Sequence, residues 1–125
     1  MTTTKVLKTS EEFFKEFKNY SLEKRLNDSN KVLSKYPRKI PVLVNSSKDI
    51  DLRQHKYLVP DDLCISEFMQ VIRSKINLNK SEALFITLED GTMISMSKIM
   101  KQVYKDSKNE DNFLYLYIMK ETTFG

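Results

Sequence analysis

Two side chains in this sequence, Cys64 and His55, are of types that perform nucleophilic chemistry. A thiolate beside an imidazole base is the arrangement of thiol enzymes, and Cys64 stands directly before a predicted helix whose dipole favours a thiolate. The sequence offers no third residue to orient the histidine, so we assign both residues to structural or surface positions. One histidine and one cysteine are also too few for a metal site, and we expect no metal and no cofactor.

A second reactive group is the terminal carboxylate of Gly125, which follows Phe124. Glycine has no Cβ, so such a terminus can thread a narrow enzyme groove and leave its carboxylate open to an attacking amine. A final glycine alone is weak evidence, because glycine makes up about 7% of residues in proteins generally. What this terminus does therefore depends on the fold behind it.

Composition restricts the class of protein. A chain of 125 residues with 40% hydrophobic and 30% charged residues is typical of one folded domain. The net charge of +4 is spread among interleaved acids and lysines, so we expect no nucleic-acid binding. The lone cysteine, the lack of an apolar stretch in residues 1–9 and apolar runs too short to span a bilayer predict a cytoplasmic protein.

Hydrophobic spacing predicts two N-terminal helices. Thr9 can cap the first, which runs to about Tyr20 and packs against the domain through three phenylalanines: Phe13, Phe14 and Phe17. Ser21 can cap the second, and Pro37 ends it because the residue before a proline avoids the helical region.

The rest of the chain predicts four strands, a long helix and a short one. In order, these are a strand at 40–44, a strand at 57–59, a helix from Ile65 to about Asn77, a strand at 83–88, a turn at Asp90-Gly91, a helix at 94–107 and a strand at 113–119. The last strand is apolar on both faces, so we expect it in the middle of the sheet. This order predicts an α+β fold of the β-grasp type, a four-stranded mixed sheet with a crossing helix, preceded by two N-terminal helices.

Three segments carry a resemblance to a known family: 35–42 (KYPRKIPV), 56–63 (KYLVPDDL) and the acidic pair Glu110-Asp111 followed by Phe113-Leu114-Tyr115. In order and spacing they resemble the autophagy ubiquitin-like modifiers, the family of the GABA-receptor-associated protein and the microtubule-associated-protein light chain 3. The resemblance covers roughly residues 22–125. It implies a ubiquitin-like domain at 22–125, with the second helix and a C-terminal conjugation tail, after an N-terminal extension and first helix at 1–21.

The resemblance implies a modifier that is a substrate of enzymes and not an enzyme. Its glycine, Gly125 after the aromatic Phe124, would be joined to phosphatidylethanolamine on autophagic membranes. The implied partners are activating and conjugating enzymes, a processing or deconjugating cysteine protease, that membrane lipid, and receptors with an aromatic-x-x-aliphatic motif. The protein would then be cytoplasmic, and autophagosomal when lipidated. Whether Gly125 is encoded last or exposed by trimming stays open.

The resemblance also places a peptide-docking face along the strand at 57–59, an exposed sheet edge onto which a peptide can add a strand. The aromatic subsite comprises Asp28, Val32, Pro41, Lys56, Leu58 and Phe113. The aliphatic subsite comprises Tyr57, Val59, Pro60, Leu63, Phe68 and Val71. Lys39, Lys56 and Lys75 would pair with acids flanking the motif.

Some features of this face depart from the family pattern. Val32 and Val71 are smaller than the usual aliphatic residues, and Lys39 replaces an arginine, which forfeits bidentate carboxylate recognition. We expect Phe68, Val71 and Phe113 to be mainly core, and Lys56 and Leu58 to lie on opposite faces of the edge strand.

Three other functions remain as alternatives. One is an unconjugated β-grasp adaptor that only binds peptides. Another is a ubiquitin-like modifier joined to a protein lysine, against which the segment Tyr57-Leu58-Val59-Pro60 argues, because the protein-joined relatives lack that match. The last is a thiol enzyme centred on Cys64.

Overall fold

A computed structural model describes residues 8–121 of the chain. Eight elements follow one another: α1 (Ser10–Asn19), α2 (Leu22–Lys35), β1 (Lys39–Ser46), β2 (Lys56–Pro60), α3 (Ile65–Lys75), β3 (Ala83–Leu88), α4 (Met100–Ser107) and β4 (Leu114–Glu121). The predicted order of helices and strands is confirmed, and most boundaries shift by one or two residues.

The four strands form one mixed sheet in the order β2-β1-β4-β3. β1 pairs antiparallel with β2 and parallel with β4, and β3 pairs antiparallel with β4. The last strand therefore lies between the first and third strands, as its two apolar faces predicted. Pro41 faces Leu58 across β1–β2, and Leu43 faces Tyr115 across β1–β4.

Helices cover both faces of the sheet. α3 and α4 enclose the main core with one face of β1, where Val42 and Val44 are buried. α1 encloses a second, aromatic cluster with the opposite face, formed by the buried residues Phe14, Phe17, Leu43, Phe113 and Tyr115. The prediction that the phenylalanines of the first helix pack it onto the domain is confirmed.

Local capping fixes where the helices begin. The Thr9 hydroxyl accepts the backbone N–H of Glu12 at 3.2 Å, and the Ser21 hydroxyl accepts that of Lys24 at 3.1 Å. At the start of α3, the Glu67 carboxylate accepts the backbone N–H of Cys64 at 3.1 Å, and this bond lowers the pKa of Glu67. The helix ends at Lys75, two residues before the predicted end.

The fourth helix was predicted too long. It begins at Met100, and the segment 94–99 is not helical. The carbonyls of Met96 and Lys98 accept the backbone N–H groups of Ser66 and Ile65 at 2.9 and 3.0 Å. The segment therefore supplies acceptors to the open N-terminus of α3, and a helix could not offer those carbonyls to a neighbour.

The turn after β3 follows the prediction. The N–H of Gly91 donates to Leu88 O at 3.0 Å, and Gly91 has a φ of +92°, which favours glycine. Within residues 8–121, no helix is long and apolar enough to cross a bilayer.

Candidate functional site

β2 lies at the edge of the sheet, paired to β1 on one side, and in the described part of the chain nothing pairs with its other side. Its burial alternates strictly: Lys56 and Leu58 are exposed, whereas Tyr57 and Val59 are buried. The expectation that Lys56 and Leu58 lie on opposite faces was wrong, because residues two apart in a strand share a face. Leu58 is 39% exposed.

The residues predicted for the aromatic subsite come from α2, β1, β2 and the residue directly before β4. Pro41 and Leu58 are register partners, so they lie on one face with Lys56, and Pro41 and Phe113 are buried. The two α2 residues of this subsite, Asp28 and Val32, are both half-buried, and Lys24 lies 3.6 Å from the Asp28 carboxylate. α2 is anchored at the start of β4, where the Ser29 hydroxyl donates to Asp111 O at 2.7 Å.

Most residues predicted for the aliphatic subsite lie on the opposite face of β2 or on α3, whereas Pro60 shares the face of Leu58. The rings of Tyr57 and Phe68 meet edge-to-face with centroids 5.6 Å apart, and both are buried with Val59. Leu63 is half-buried against the core, and Pro60 is exposed at the end of the strand. Val71 is 40% exposed, one turn along α3, so the expectation that it is core was wrong, whereas Phe68 and Phe113 are core as expected.

Tyr57 carries an unusual polar group. Its hydroxyl is buried, and no hydrogen-bond partner for it is present among residues 8–121. Burial raises the pKa of Tyr57 to about 12, because the tyrosinate would have to form out of water.

Three exposed lysines flank these subsites. The Nζ atoms of Lys39, Lys56 and Lys75 lie 6.0, 5.5 and 5.9 Å from the ring centroids of Tyr36, Phe17 and Tyr57. Within the described residues, none of the three lysines forms an ion pair. Their charges are therefore available to acids on a bound peptide.

Two features of the site were not anticipated. The Asp111 carboxylate, which has no solvent exposure, accepts hydrogen bonds from Arg25 and from the backbone N–H of Phe113, at 2.9 and 3.0 Å. Phe17 of α1 lies against Phe113 and Lys56, two residues of the aromatic subsite. The spacing of the phenylalanines predicted that α1 packs on the domain, but not where.

The candidate thiol and imidazole do not meet. His55 precedes β2 and Cys64 follows it, so a strand of five residues, each rising about 3.3 Å, separates them. His55 is buried and stacked on Phe13 with centroids 4.7 Å apart, and Cys64 Sγ lies 3.1 Å from Ser66 Oγ. In the described ranges, no group of three or more His, Cys, Asp or Glu residues is placed to hold a metal ion.

A cleft of about 690 Å³ lies away from both subsites, between the start of α1 and the loop that follows β1. Its charged lining is balanced, since Lys8, Lys48 and Arg53 face Glu11, Asp49 and Asp51. Lys48 and Arg53 lie 3.8 and 3.3 Å from Glu11 and Asp51. This balance gives the cleft no preference for a charged ligand.

β4 ends at Glu121, which pairs with Ala83 of β3. Phe124 and Gly125, the two residues of the predicted conjugation tail, lie outside the described residues.

Comparisons with known proteins agree with this architecture. The family model for the autophagy protein Atg8, described as ubiquitin-like, matches residues 24–125. Autophagy-related protein 8 of Schizosaccharomyces pombe is 38% identical over 110 residues, which cover 86% of this chain and 90% of that protein. Autophagy-related protein 8e of Arabidopsis thaliana is 39% identical over 106 residues, which cover 82% and 86% of the two chains.

The crystal structure of ATG8 from Trypanosoma brucei matches with a TM-score of 0.74 at 32% identity, over 86% of this chain and 94% of that one. The β-grasp prediction and the family resemblance are thus both confirmed. The chain belongs to the Atg8 family of ubiquitin-like autophagy proteins.

Proposed function

We propose that this chain is a modifier that is joined through Gly125 to phosphatidylethanolamine on autophagic membranes and recruits receptors to them through β2. The family membership and the Phe124-Gly125 ending support the conjugation. The unpaired edge of β2 is the observation that carries the recruitment, because an extended peptide can continue the sheet there.

Conjugation requires other proteins and no catalytic group on this chain. An activating enzyme forms an adenylate on the Gly125 carboxylate, enzyme cysteines carry it as a thioester, and the amine of the lipid displaces the thiol. A cysteine protease would trim any residues beyond Gly125 and release the protein from the membrane. The protein is then cytoplasmic when free and held at autophagosomal membranes when conjugated.

Recruitment uses the two faces of β2. A peptide strand paired to β2 directs alternate side chains to opposite faces, so an aromatic residue and an aliphatic residue three positions later reach different subsites. Leu58 offers exposed apolar surface to the aromatic residue, and Val71 offers it to the aliphatic residue. Lys39, Lys56 and Lys75 bring positive charge to acids beside the motif, which strengthens encounter more than final affinity.

Calorimetric titration of an aromatic-x-x-aliphatic peptide tests the docking face. We expect Leu58→Ala and Val71→Ala each to weaken binding by about tenfold. In a protein interface, only the few side chains that anchor the partner lose more than about 1 kcal/mol of binding free energy when they are truncated to alanine. The matched control is Ile99→Ala, because Ile99 is 41% exposed but belongs to neither subsite. Equal affinity for Leu58→Ala and Ile99→Ala would show that the peptide binds elsewhere.

A further inference from the structure

α1 places an aromatic side chain directly on the docking face. Phe17 is only 3% exposed, although it belongs to a helix on the surface of the domain. Its ring meets that of Phe113 edge-to-face, with centroids 5.3 Å apart and planes at 87°. This is a favourable aromatic geometry, of the kind that a receptor's ring would seek in the same subsite.

A second subsite residue, Lys56, also contacts the ring of Phe17. Lys56 Nζ lies 5.5 Å from the centroid of the Phe17 ring, within the range of a cation–π contact. Phe17 therefore contacts two residues of the aromatic subsite, Phe113 and Lys56. Pro41 and Phe113, which would form the floor for an incoming ring, are both buried.

We propose that Phe17 fills the side of the aromatic subsite next to Phe113 and Lys56 from within the chain, so that α1 must be displaced before a receptor's aromatic residue can reach Phe113, while Leu58 stays exposed. This inference rests on the proposed docking function and adds its regulation. α1 acts as an intramolecular competitor, and the affinity for a receptor is set partly by how often α1 leaves the sheet.

The contacts that hold α1 are suited to reversible displacement. Apart from its phenylalanines, α1 is held by polar contacts: Ser10 Oγ lies 3.0 Å from Ser46 Oγ, Glu11 pairs with Lys48 at 3.8 Å, and Lys18 Nζ lies 2.9 Å from Glu89 Oε2 and 5.2 Å from the Tyr115 ring centroid. Lys18 and Glu89 are both about half exposed, so solvent screens their attraction. Within residues 8–121, no strand pairing ties α1 to the sheet.

The cost of displacement appears in the measured affinity. When only a fraction of the molecules is competent to bind, the apparent dissociation constant is the intrinsic constant divided by that fraction. If the open state holds between about 1% and 10% of the population, binding is weakened by about 10-fold to 100-fold. Removing the Phe17 ring should restore most of the affinity that the closed state costs.

Titration of the same peptide against full-length variants tests this. We expect Phe17→Ala to bind more tightly than the wild type by about tenfold, and Phe17→Leu, which is less disruptive to the fold, by a smaller factor. The thermal midpoint should fall in both variants, because Phe17 is buried. Gain of affinity with loss of stability is not expected of a residue that only supports the fold.

Val103→Ala controls for destabilisation as such. Val103 is buried in α4 within the main core, away from the aromatic cluster of α1. This variant should melt earlier than the wild type and bind the peptide with unchanged affinity. Unchanged or weaker binding by both Phe17 variants would overturn the competition, and equal tightening by Val103→Ala would do the same.

A reversible lock provides an independent test. In a Cys64→Ser background, the pair Ser10→Cys and Ser46→Cys joins α1 to β1 at the point where the two hydroxyl oxygens lie 3.0 Å apart. The oxidised protein should bind the peptide more weakly than the same protein after reduction. Equal affinity in the two states would contradict displacement of α1.

Different results would contradict the docking face on β2 and the competition by α1. If wild type, Phe17→Ala and the reduced double-cysteine protein all show no binding, the docking face itself is wrong, and the competition falls with it. If all of them bind with one affinity that Leu58→Ala weakens by about tenfold, the docking face stands and only the competition by α1 is wrong.

Discussion

Arg25 Nη1 lies 2.9 Å from Oδ2 of Asp111, so a cation on α2 neutralises a carboxylate that has no solvent exposure, in the turn that leads into β4. The Tyr115 hydroxyl donates to the same oxygen, and the backbone N–H of Phe113 donates to Oδ1 at 3.0 Å. The ion pair thus fixes the backbone from which Phe113 enters the aromatic subsite. It links the second helix to the docking face.

Loss of Arg25 should therefore be costly. Arg25→Met leaves the Asp111 carboxylate buried without its cation, and removal of one partner of a buried pair costs about 3–5 kcal/mol. Urea unfolding measures this as a lower free energy of unfolding. Lys24→Ala is the matched control, because Lys24 is on the same helix in an exposed pair with Asp28.

The double variant Arg25→Met with Asp111→Asn should recover part of the loss, since it removes the buried charge together with its partner. A cost for Arg25→Met no greater than that for Lys24→Ala would contradict the role assigned to the buried pair.

Two buried tyrosines should respond oppositely to loss of the hydroxyl. The Tyr115 hydroxyl donates to Asp111, so Tyr115→Phe should lower the free energy of unfolding by about 2 kcal/mol. The Tyr57 hydroxyl is buried with no partner among the described residues, so Tyr57→Phe should raise that free energy by about 1 kcal/mol. Chemical denaturation of the two variants and the wild type measures both changes in the free energy of unfolding. A loss of stability in Tyr57→Phe would indicate that the Tyr57 hydroxyl has a hydrogen-bond partner.

Stability should fall in alkaline solution. Burial raises the pKa of Tyr57 from 10.0 to about 12, so between these pH values the unfolded chain loses a proton that the folded chain keeps. Below pH 10 both forms are protonated and this contribution is fully present. Above pH 10 the free energy of unfolding declines, by at most about 1.4 kcal/mol per pH unit for each such tyrosine.

Burial and the neighbouring Asp111 raise the pKa of Tyr115 as well, which adds to the alkaline loss. Urea unfolding at a series of pH values measures the slope, and Tyr57→Phe should reduce it between pH 10 and pH 12. An identical slope in wild type and Tyr57→Phe would contradict the assigned shift.

The lysines beside the subsites should govern association rate and salt dependence. Replacing Lys39, Lys56 and Lys75 together by glutamine should slow association with an acid-flanked peptide and flatten its dependence on salt, with a smaller effect on dissociation. Stopped-flow fluorescence at several ionic strengths measures both rates. Lys105→Gln is the control, because Lys105 is an exposed lysine on α4. If the association rate depends on salt equally in the wild type, the triple variant and Lys105→Gln, the three lysines do not steer the peptide.

The sequence specified most of the fold because its signals were local. The long helix that begins at Ile65, the Thr9 and Ser21 caps and the two-faced apolar strand β4 each depend on residues close in the chain, and each prediction was confirmed. The segment 94–99 failed for the opposite reason. Its non-helical shape offers acceptors to the N–H groups of Ile65 and Ser66, about thirty residues earlier in the chain.

The site was predictable only where the family motif or strand alternation applied. Val71 falls outside the buried stripe of α3, which is formed by Ile65, Phe68, Met69 and Ile72, so helical periodicity agrees with its exposure better than the expectation that it is core. The contact of Phe17 with Phe113 and the bond of Arg25 to Asp111 join residues far apart in the chain. No local pattern encodes such pairings.

Reconstitution of lipid conjugation tests the central claim most directly. The full chain is incubated with the activating and conjugating enzymes of this family, ATP and liposomes that contain phosphatidylethanolamine, and the product is measured by mass spectrometry. The account predicts an ATP-dependent lipid adduct on Gly125 that disappears when Gly125 is deleted. An adduct that survives this deletion, or no adduct from a chain that still binds receptor peptides, would contradict it.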